Sequence, residues 1–147
     1  MPLFKHKEKN IHYKNEGSGQ SVVLLHGFLE NLSMWDEIAQ ELSKTHRVIR
    51  LDFPGFGESD RIEEVHSMEL YAVYTHQLLL ALPIDDFTIV GHSMGGYAAL
   101  ELSKLCPEKM NHLILFHSTA NADSEQKKKD RDRAIKAVNY KQSIYLK

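Results

Sequence analysis

Residues 87–96 read FTIVGHSMGG, and this stretch decides the fold. It joins a short apolar run to the pattern Gly-x-Ser-x-Gly centred on Ser93. Apolar runs of this length are typical of strands buried on both faces of a parallel sheet. The stretch therefore predicts a strand that turns sharply at Ser93 into a helix over residues 93–106, which Pro107 ends. Because that helix is apolar on most sides, it is predicted to be buried.

Three further apolar runs repeat this pattern, and helical patterns lie between them. Ser33 and Asp36 predict a capping box for the first helix. Ser67 predicts the cap of the second helix, which Pro83 ends. The alternation predicts an α/β fold, a mostly parallel sheet with helices on both faces. The predicted strands lie near residues 22–26, 47–52, 87–91 and 112–117, after a short edge hairpin over residues 3–16.

The composition is that of an ordinary globular protein with one core. The chain has 147 residues, 42% of them hydrophobic, and a formal net charge of -2, which predicts neither a nucleic-acid nor a membrane partner. Cys106 has no second cysteine to pair with and is predicted to be a small buried hydrophobe. Residues 1–10 lack the apolar core of a signal peptide, and residues 78–83, the longest apolar run, are too few to span a bilayer. These absences predict a cytoplasmic protein.

Three blocks of sequence together resemble the α/β-hydrolase fold superfamily, in the subgroup of single-domain serine esterases and cofactor-free haloperoxidases. They are residues 26–28, 52–59 and 91–96, and their order and spacing fit the family across residues 20–118. The resemblance implies a serine hydrolase that acts on small-molecule esters, thioesters or related acyl compounds and uses no cofactor or metal. Since the nucleophile position holds Ser93 and not Asp, epoxide hydrolase and dehalogenase reactions are not expected.

The resemblance also assigns roles to residues. Ser93 is the expected catalytic nucleophile, although a serine at this turn could also be a plain helix N-cap. Acyl transfer develops an oxyanion, which needs two preorganised N–H donors. The family pattern places these at the backbone of Phe28 and Met94. The residues expected to support the elbow and the oxyanion loop are His26, Gly27, Gly91 and Gly95.

The rest of a catalytic triad is not evident in this sequence. In the family the chain order is Ser, then Asp or Glu, then His, and no strand pattern follows Phe116. We therefore expect residues 1–120 to be the N-terminal part of the hydrolase core and residues 121–147 to begin a helical cap. The catalytic acid and histidine are expected beyond Lys147. Within the sequence His117 is the remaining candidate base, although it has no evident carboxylate partner other than Asp123, and a surface or loop histidine is the default interpretation.

Two functions therefore stay open. One is a serine hydrolase that is catalytically incomplete over these 147 residues. The other is a non-catalytic fragment of the fold that binds a small ligand or a complementing chain. In either case the strand at residues 112–117 is predicted to keep an open edge, through which the chain could self-associate or pair with that complementing chain. The charged run at residues 127–133 is interrupted by acids and predicts a solvated helix face.

Overall fold

A computed structural model describes residues 3–6 and 8–145, and in them the chain forms one mixed sheet with helices on both faces. The strands lie side by side in the order β1-β2-β4-β3-β5-β6. Their bounds are β1 Leu3–His6, β2 Lys9–Glu16, β3 Ser21–Leu25, β4 Arg47–Leu51, β5 Phe87–His92 and β6 Met110–Phe116. The helices are α1 Asp36–Leu42, α2 Met68–Ala81, α3 Met94–Leu105 and α4 Glu125–Tyr145, with 3-10 turns at Leu32–Trp35 and Pro107–Lys109.

The sheet is parallel except at one edge, as the sequence predicts. Strands β4, β3, β5 and β6 run parallel to one another, whereas β1 and β2 form the expected antiparallel hairpin, and β2 pairs antiparallel with β4. All four predicted parallel strands are confirmed to within two residues. Because parallel strands end at the same edge, the loops after β3 and β5 are brought together there.

Both faces of the sheet are buried at the central strands β3 and β4, which explains why these strands read as continuous apolar runs. In β3, Val23 and Leu25 face a large apolar cluster with α2 and α3, whereas Val22 and Leu24 face a smaller one with α1. Successive side chains of a strand point to opposite faces, so each run must be apolar throughout. Cys106 is buried in the larger cluster, as expected.

One predicted helix cap is confirmed and one is wrong. The Ser67 hydroxyl accepts a hydrogen bond from the N–H of Leu70 at 3.2 Å and caps α2. Ser33 is not a cap, because it lies inside a 3-10 turn that precedes α1. The side chain of Asn31 caps that turn and accepts the Ser33 N–H at 2.9 Å. Asp36, the expected partner of Ser33, instead forms an ion pair with Arg50.

The third helix is less buried than its composition predicts. Its inner face consists of Gly95, Gly96, Ala98, Ala99 and Leu102, all buried. Leu105, however, is 44% exposed, and Lys104 forms a surface ion pair with Glu101. Small inner residues let α3 pack closely against the sheet, and only that face is covered. The sequence overestimates its burial because the helix carries apolar residues on its outer side as well.

Strand β6 is the last strand of the sheet in the described residues, and β5 is the only strand with which it pairs there. Its side chains are half-buried or exposed, with Ile114 47% and Phe116 41% exposed. The predicted open edge is therefore observed. Beyond it, every side chain of α4 through residue 137 is exposed. That residues 121–147 begin a cap stays a prediction. None of the described helices has both the length and the apolar character needed to cross a bilayer.

Candidate active site

Ser93 lies between the end of β5 and the start of α3, in a backbone conformation that few side chains adopt. Its φ is 50° and its ψ is -112°, so the predicted sharp turn at Ser93 is observed. Hydrogen bonds on both sides hold it there. The Ser93 N–H donates to the carbonyl of Phe116 at 3.0 Å, and the Ser93 carbonyl accepts from the Ser118 hydroxyl at 2.8 Å. Strained residues of this kind persist only where the surroundings fix them, and they are common at functional sites.

The Ser93 side chain does not act as a helix cap. Its hydroxyl makes no capping hydrogen bond to α3. It instead lines a cavity of about 550 Å³ at the carboxyl ends of the strands. The plain N-cap interpretation of the motif is therefore not supported by the geometry.

The glycines of the elbow, residues 91–95, allow the backbone to turn this tightly. A Cβ on Gly91 would lie 2.4 Å from the carbonyl oxygen of Gly95. A Cβ on Gly95 would lie 2.6 Å from the carbonyl oxygens of both Leu25 and His26, at the end of β3. Real Cβ contacts are longer than these, and backbone atoms cannot rotate away. The elbow therefore packs directly against the loop that follows β3.

We expect Gly95→Ala to destabilise the protein by about 3 kcal/mol, because the new methyl group must push the β3 backbone away from α3. Gly96→Ala is the matched comparison in the same helix. Its Cβ would meet the side chain of Ser118, which lies in a loop, so we expect a loss of about 1 kcal/mol. Urea unfolding measures both. Equal losses, or a neutral Gly95→Ala, would contradict this account of the elbow.

The loop over residues 26–30 follows β3 and faces the elbow. His26 is fully buried and uses both ring nitrogens. Its Nδ1 lies 2.8 Å from the carbonyl oxygen of Gly27, and its Nε2 lies 3.0 Å from the N–H of Phe53. A backbone N–H only donates, so Nε2 accepts and Nδ1 carries the proton. Burial lowers the pKa of His26, which favours this neutral form. His26 thus braces the loop and has no free nitrogen for proton transfer.

The two expected oxyanion donors lie beside Ser93. Phe28 and Met94 line the same cavity as Ser93. The N–H of Phe28 has no acceptor among the described residues. Met94 is the first residue of α3, and an N–H at that position has no partner inside its own helix. Both amides are therefore free to bind a ligand, and their catalytic role stays a prediction.

The remaining wall of the cavity mixes apolar and charged groups. Burial raises the pKa of Tyr71 to about 12, so this phenol stays protonated at neutral pH. The Tyr97 hydroxyl donates to Asp123 at 3.3 Å, and the Arg131 guanidinium donates to the same carboxylate at 2.6 Å. The hydrogen bond from Arg131 lowers the pKa of Asp123, which stays ionised. Besides Phe28, Ser93 and Met94, the cavity is lined by His66, Met68, Tyr71, Tyr97, Ala122, Asp123 and Arg131.

No histidine of the described residues forms a hydrogen-bonded pair with Ser93. His117 shares a second, adjoining cavity of about 320 Å³ with Ser93, but it has no hydrogen bond to Asp123. That carboxylate is bound to Tyr97 and Arg131 instead. The Nε2 of His66 accepts two backbone N–H groups at 3.3 Å each. The alternative of a His117–Asp123 relay is therefore not supported by the geometry.

Two acidic residues near the site were missed by the sequence analysis. Asp52 begins the 52–59 block and was given no role of its own, yet its buried carboxylate accepts hydrogen bonds from the N–H groups of Leu32 and Glu58 and contacts His12 at 2.8 Å. Glu30 was given no role, yet its carboxylate binds the 26–30 loop and the elbow together. The one sequence signal for this role is the spacing, since a side chain three residues after Gly27 can fold back to accept the Gly27 N–H. Among the described residues, no three His, Cys, Asp or Glu side chains cluster as a metal site would require.

Known proteins resemble this chain over most of its length. The family model described as "alpha/beta hydrolase fold" matches residues 20–140. A pimeloyl-[acyl-carrier protein] methyl ester esterase of Nitrosomonas europaea is 30% identical over 110 residues, covering 75% of this chain and 42% of that protein. A 2-hydroxy-6-oxononadienedioate/2-hydroxy-6-oxononatrienedioate hydrolase of Pseudomonas putida is 36% identical over 113 residues, covering 73% and 40%.

A solved structure is also similar to most of this chain. The thermophilic esterase of Thermogutta terrifontis matches with a TM-score of 0.77 and 32% identity, covering 88% of this chain and 48% of that one. The chain thus spans less than half the length of each of these three proteins.

Proposed function

The chain belongs to the α/β-hydrolase fold family, and from that premise we propose that Ser93 is the nucleophile of a serine hydrolase acting on small esters, thioesters or related acyl compounds. One observation carries the proposal. Ser93 sits at a strained strand-to-helix turn, in a cavity that Phe28 and Met94 also line, and the backbone N–H groups of these two residues have no acceptor among the described residues. The hydrolases and esterases among its relatives support the same class of reaction.

The proposed chemistry is acyl transfer in two halves. The Ser93 Oγ attacks the carbonyl carbon and its proton passes to a base, while the carbonyl oxygen becomes an oxyanion held by the N–H groups of Phe28 and Met94. Collapse of this intermediate breaks the bond to the alcohol or thiol, which takes the proton and leaves an acyl-enzyme. Water then repeats the sequence and releases the acid. We propose that the base and its orienting carboxylate come from sequence outside residues 1–147.

The cavity supports a small acyl substrate. A volume of about 550 Å³ is within the range of small-molecule sites. Its apolar part, made by Phe28, Met68 and Tyr71, suits a short hydrocarbon chain. The paired Asp123 and Arg131 form its polar side.

The function is tested on the protein encoded by the whole reading frame that contains these residues, here the extended protein. Its hydrolysis of 4-nitrophenyl butyrate and of a short acyl thioester is measured with and without Ser93→Ala. Turnover that requires Ser93 supports the proposal. Turnover that survives the substitution, or none on a range of esters and thioesters, overturns it and favours a ligand-binding scaffold.

We further propose that residues 1–147 made alone self-associate, or pair with a complementing chain, through β6. Unpaired N–H and C=O groups on an edge strand template association, and Ile114 and Phe116 add exposed apolar area. We expect light scattering after gel filtration to give a mass above that of the monomer. Ile114→Lys should shift the mass toward the monomer, whereas Val65→Lys, at a residue 78% exposed in a loop, should not. A monodisperse wild-type monomer would contradict the prediction.

A further inference from the structure

One carboxylate oxygen connects the 26–30 loop to the elbow. Glu30 Oε2 accepts the N–H of Gly27 at 2.7 Å and lies 2.9 Å from His92 Nδ1. Because an ionised carboxylate only accepts, His92 Nδ1 is the donor. His92 immediately precedes Ser93, and the two bonded residues are 62 positions apart in sequence. The contact is partly shielded, with the His92 and Glu30 side chains 20% and 33% exposed.

The same turn fixes the direction of the Phe28 N–H. The carbonyl oxygen of Gly27 accepts from His26 Nδ1 at 2.8 Å and from the Glu30 N–H at 3.4 Å. In a trans peptide the C=O and the following N–H point in opposite directions, so holding the Gly27 oxygen aims the Phe28 N–H the other way. The Glu30 carboxylate holds the preceding peptide through the Gly27 N–H. Two successive peptide planes are therefore fixed.

The turn needs this support because its backbone is strained. Leu29 has a φ of 60°, a region that side chains with a Cβ seldom occupy. Its own side chain is 82% exposed and contributes little packing. Gly27 is also confined, since a Cβ there would lie 2.5 Å from Glu30 Oε2 and 2.9 Å from His92 Nδ1. Without the carboxylate, other loop conformations become accessible, and in these the Phe28 N–H would point elsewhere.

On the elbow side, His92 is itself held by aromatic packing. Its ring lies edge-on to Trp35 and tilted against Phe116, with ring centroids 6.4 and 5.6 Å away. The His92 imidazole is thus held in place by the elbow and its aromatic neighbours, and it fixes the Glu30 carboxylate. That carboxylate in turn holds the 26–30 loop through the Gly27 N–H. From this geometry we propose that Glu30 and His92 are positioning residues that keep the Phe28 N–H aligned with Ser93. The proposal rests on the proposed function, in which that N–H binds the oxyanion.

The test uses variants of the extended protein that differ in what they remove. Glu30→Ala removes the carboxylate. Glu30→Gln keeps an oxygen that can accept the Gly27 N–H. His92→Phe keeps a ring between Trp35 and Phe116 but removes the donor. Glu41→Gln is the matched control, since Glu41 makes only a surface ion pair with Lys44.

We expect Glu30→Ala to lower kcat on 4-nitrophenyl butyrate roughly 10- to 100-fold, with KM changed less than about twofold. The Phe28 N–H binds the oxyanion, which develops only in the transition state, so misaligning this donor affects kcat and leaves substrate binding almost unchanged. Glu30→Gln should lose less. The double variant of Glu30→Ala with His92→Phe should be no slower than Glu30→Ala alone, since both act through one contact. Glu41→Gln should match the wild type.

A second measurement separates positioning from plain structural support. A short alkylboronic acid forms a tetrahedral, negatively charged adduct with the nucleophilic serine, so its inhibition constant reports the oxyanion donors directly. Its affinity should fall with kcat across the Glu30 and His92 variants. If kcat and boronate affinity stay unchanged while only the melting temperature falls, the positioning role is wrong. If Glu30→Ala does not fold, the kcat and the boronate affinity of Glu30→Gln and His92→Phe decide whether the positioning role is right. If Ser93→Ala retains activity, the proposed function itself fails.

Discussion

Ser93→Ala is expected to lower kcat of the extended protein on a short activated ester by a factor of about 10⁴–10⁶, to near the background rate. The size of the effect follows from the role of the hydroxyl as the attacking atom. Without it no acyl-enzyme can form, and the Phe28 and Met94 amides can stabilise only direct attack by water. KM carries little information here, because the methyl group of alanine leaves the cavity almost unchanged.

Ser103→Ala, at a serine within α3, is the control that separates a loss of catalysis in Ser93→Ala from a loss of folding. The Ser103 hydroxyl donates to the carbonyl of Leu100 within α3, away from the cavity. Ser103→Ala should therefore keep kcat within about twofold and cost less than about 1 kcal/mol. If both alanine variants lose activity together, the loss reflects folding. If neither loses activity, Ser93 is not the nucleophile.

Residues 1–147 made alone are expected to turn over the same ester about 10⁴–10⁶ times more slowly than the extended protein. No described histidine is bonded to Ser93, so its hydroxyl keeps its proton at neutral pH and attacks slowly. The free amides of Phe28 and Met94 remain, so we expect a residual acceleration of roughly 10³ over water where the cavity still forms. Single-turnover assays at high protein concentration can detect such a rate.

The comparison needs evidence that the short chain is folded. Circular dichroism should report the mixed sheet and its helices before activity is compared. Equal activity of the short and the extended protein would contradict the proposal that the base lies outside these residues. His117, which shares a cavity with Ser93, would then be the first residue to replace by alanine.

The parts of the fold that local sequence encodes were predicted well. Buried strands such as residues 87–90 are apolar on both faces, and the glycines around Ser93 are typical of a tight turn. The strand and the turn could therefore both be identified from the sequence. Ser33 was wrongly predicted as a helix cap because a 3-10 turn, capped by Asn31, precedes α1, and local patterns do not resolve such a turn. The burial of α3 was predicted from its apolar composition. Its actual burial depends on which of its faces pack against other elements, and only the inner face does.

The parts of the site that depend on tertiary contacts could not be predicted. No functional role was assigned to His92 from the sequence. Its ring does contact Trp35, but its Nδ1 also binds Glu30 from a loop 62 residues earlier. The three hydrogen-bonding partners of the Asp52 carboxylate are likewise spread from residue 12 to residue 58. Such partners become visible only when the strand order is known.

The order of the strands also bears on how the protein is made. After β4 has paired with β3, β5 adds beside β3 on its other side and β6 adds beside β5, both at the same free edge. A chain emerging from the ribosome can therefore dock each of these strands onto sheet that already exists, without opening a completed pair. The N-terminal part of a chain emerges first during synthesis, and this layout lets the elbow be completed once β6 and Ser118, which hold Ser93 in place, have cleared the exit tunnel. Biogenesis would then be vectorial, with each of these strands docked before the next one is synthesised.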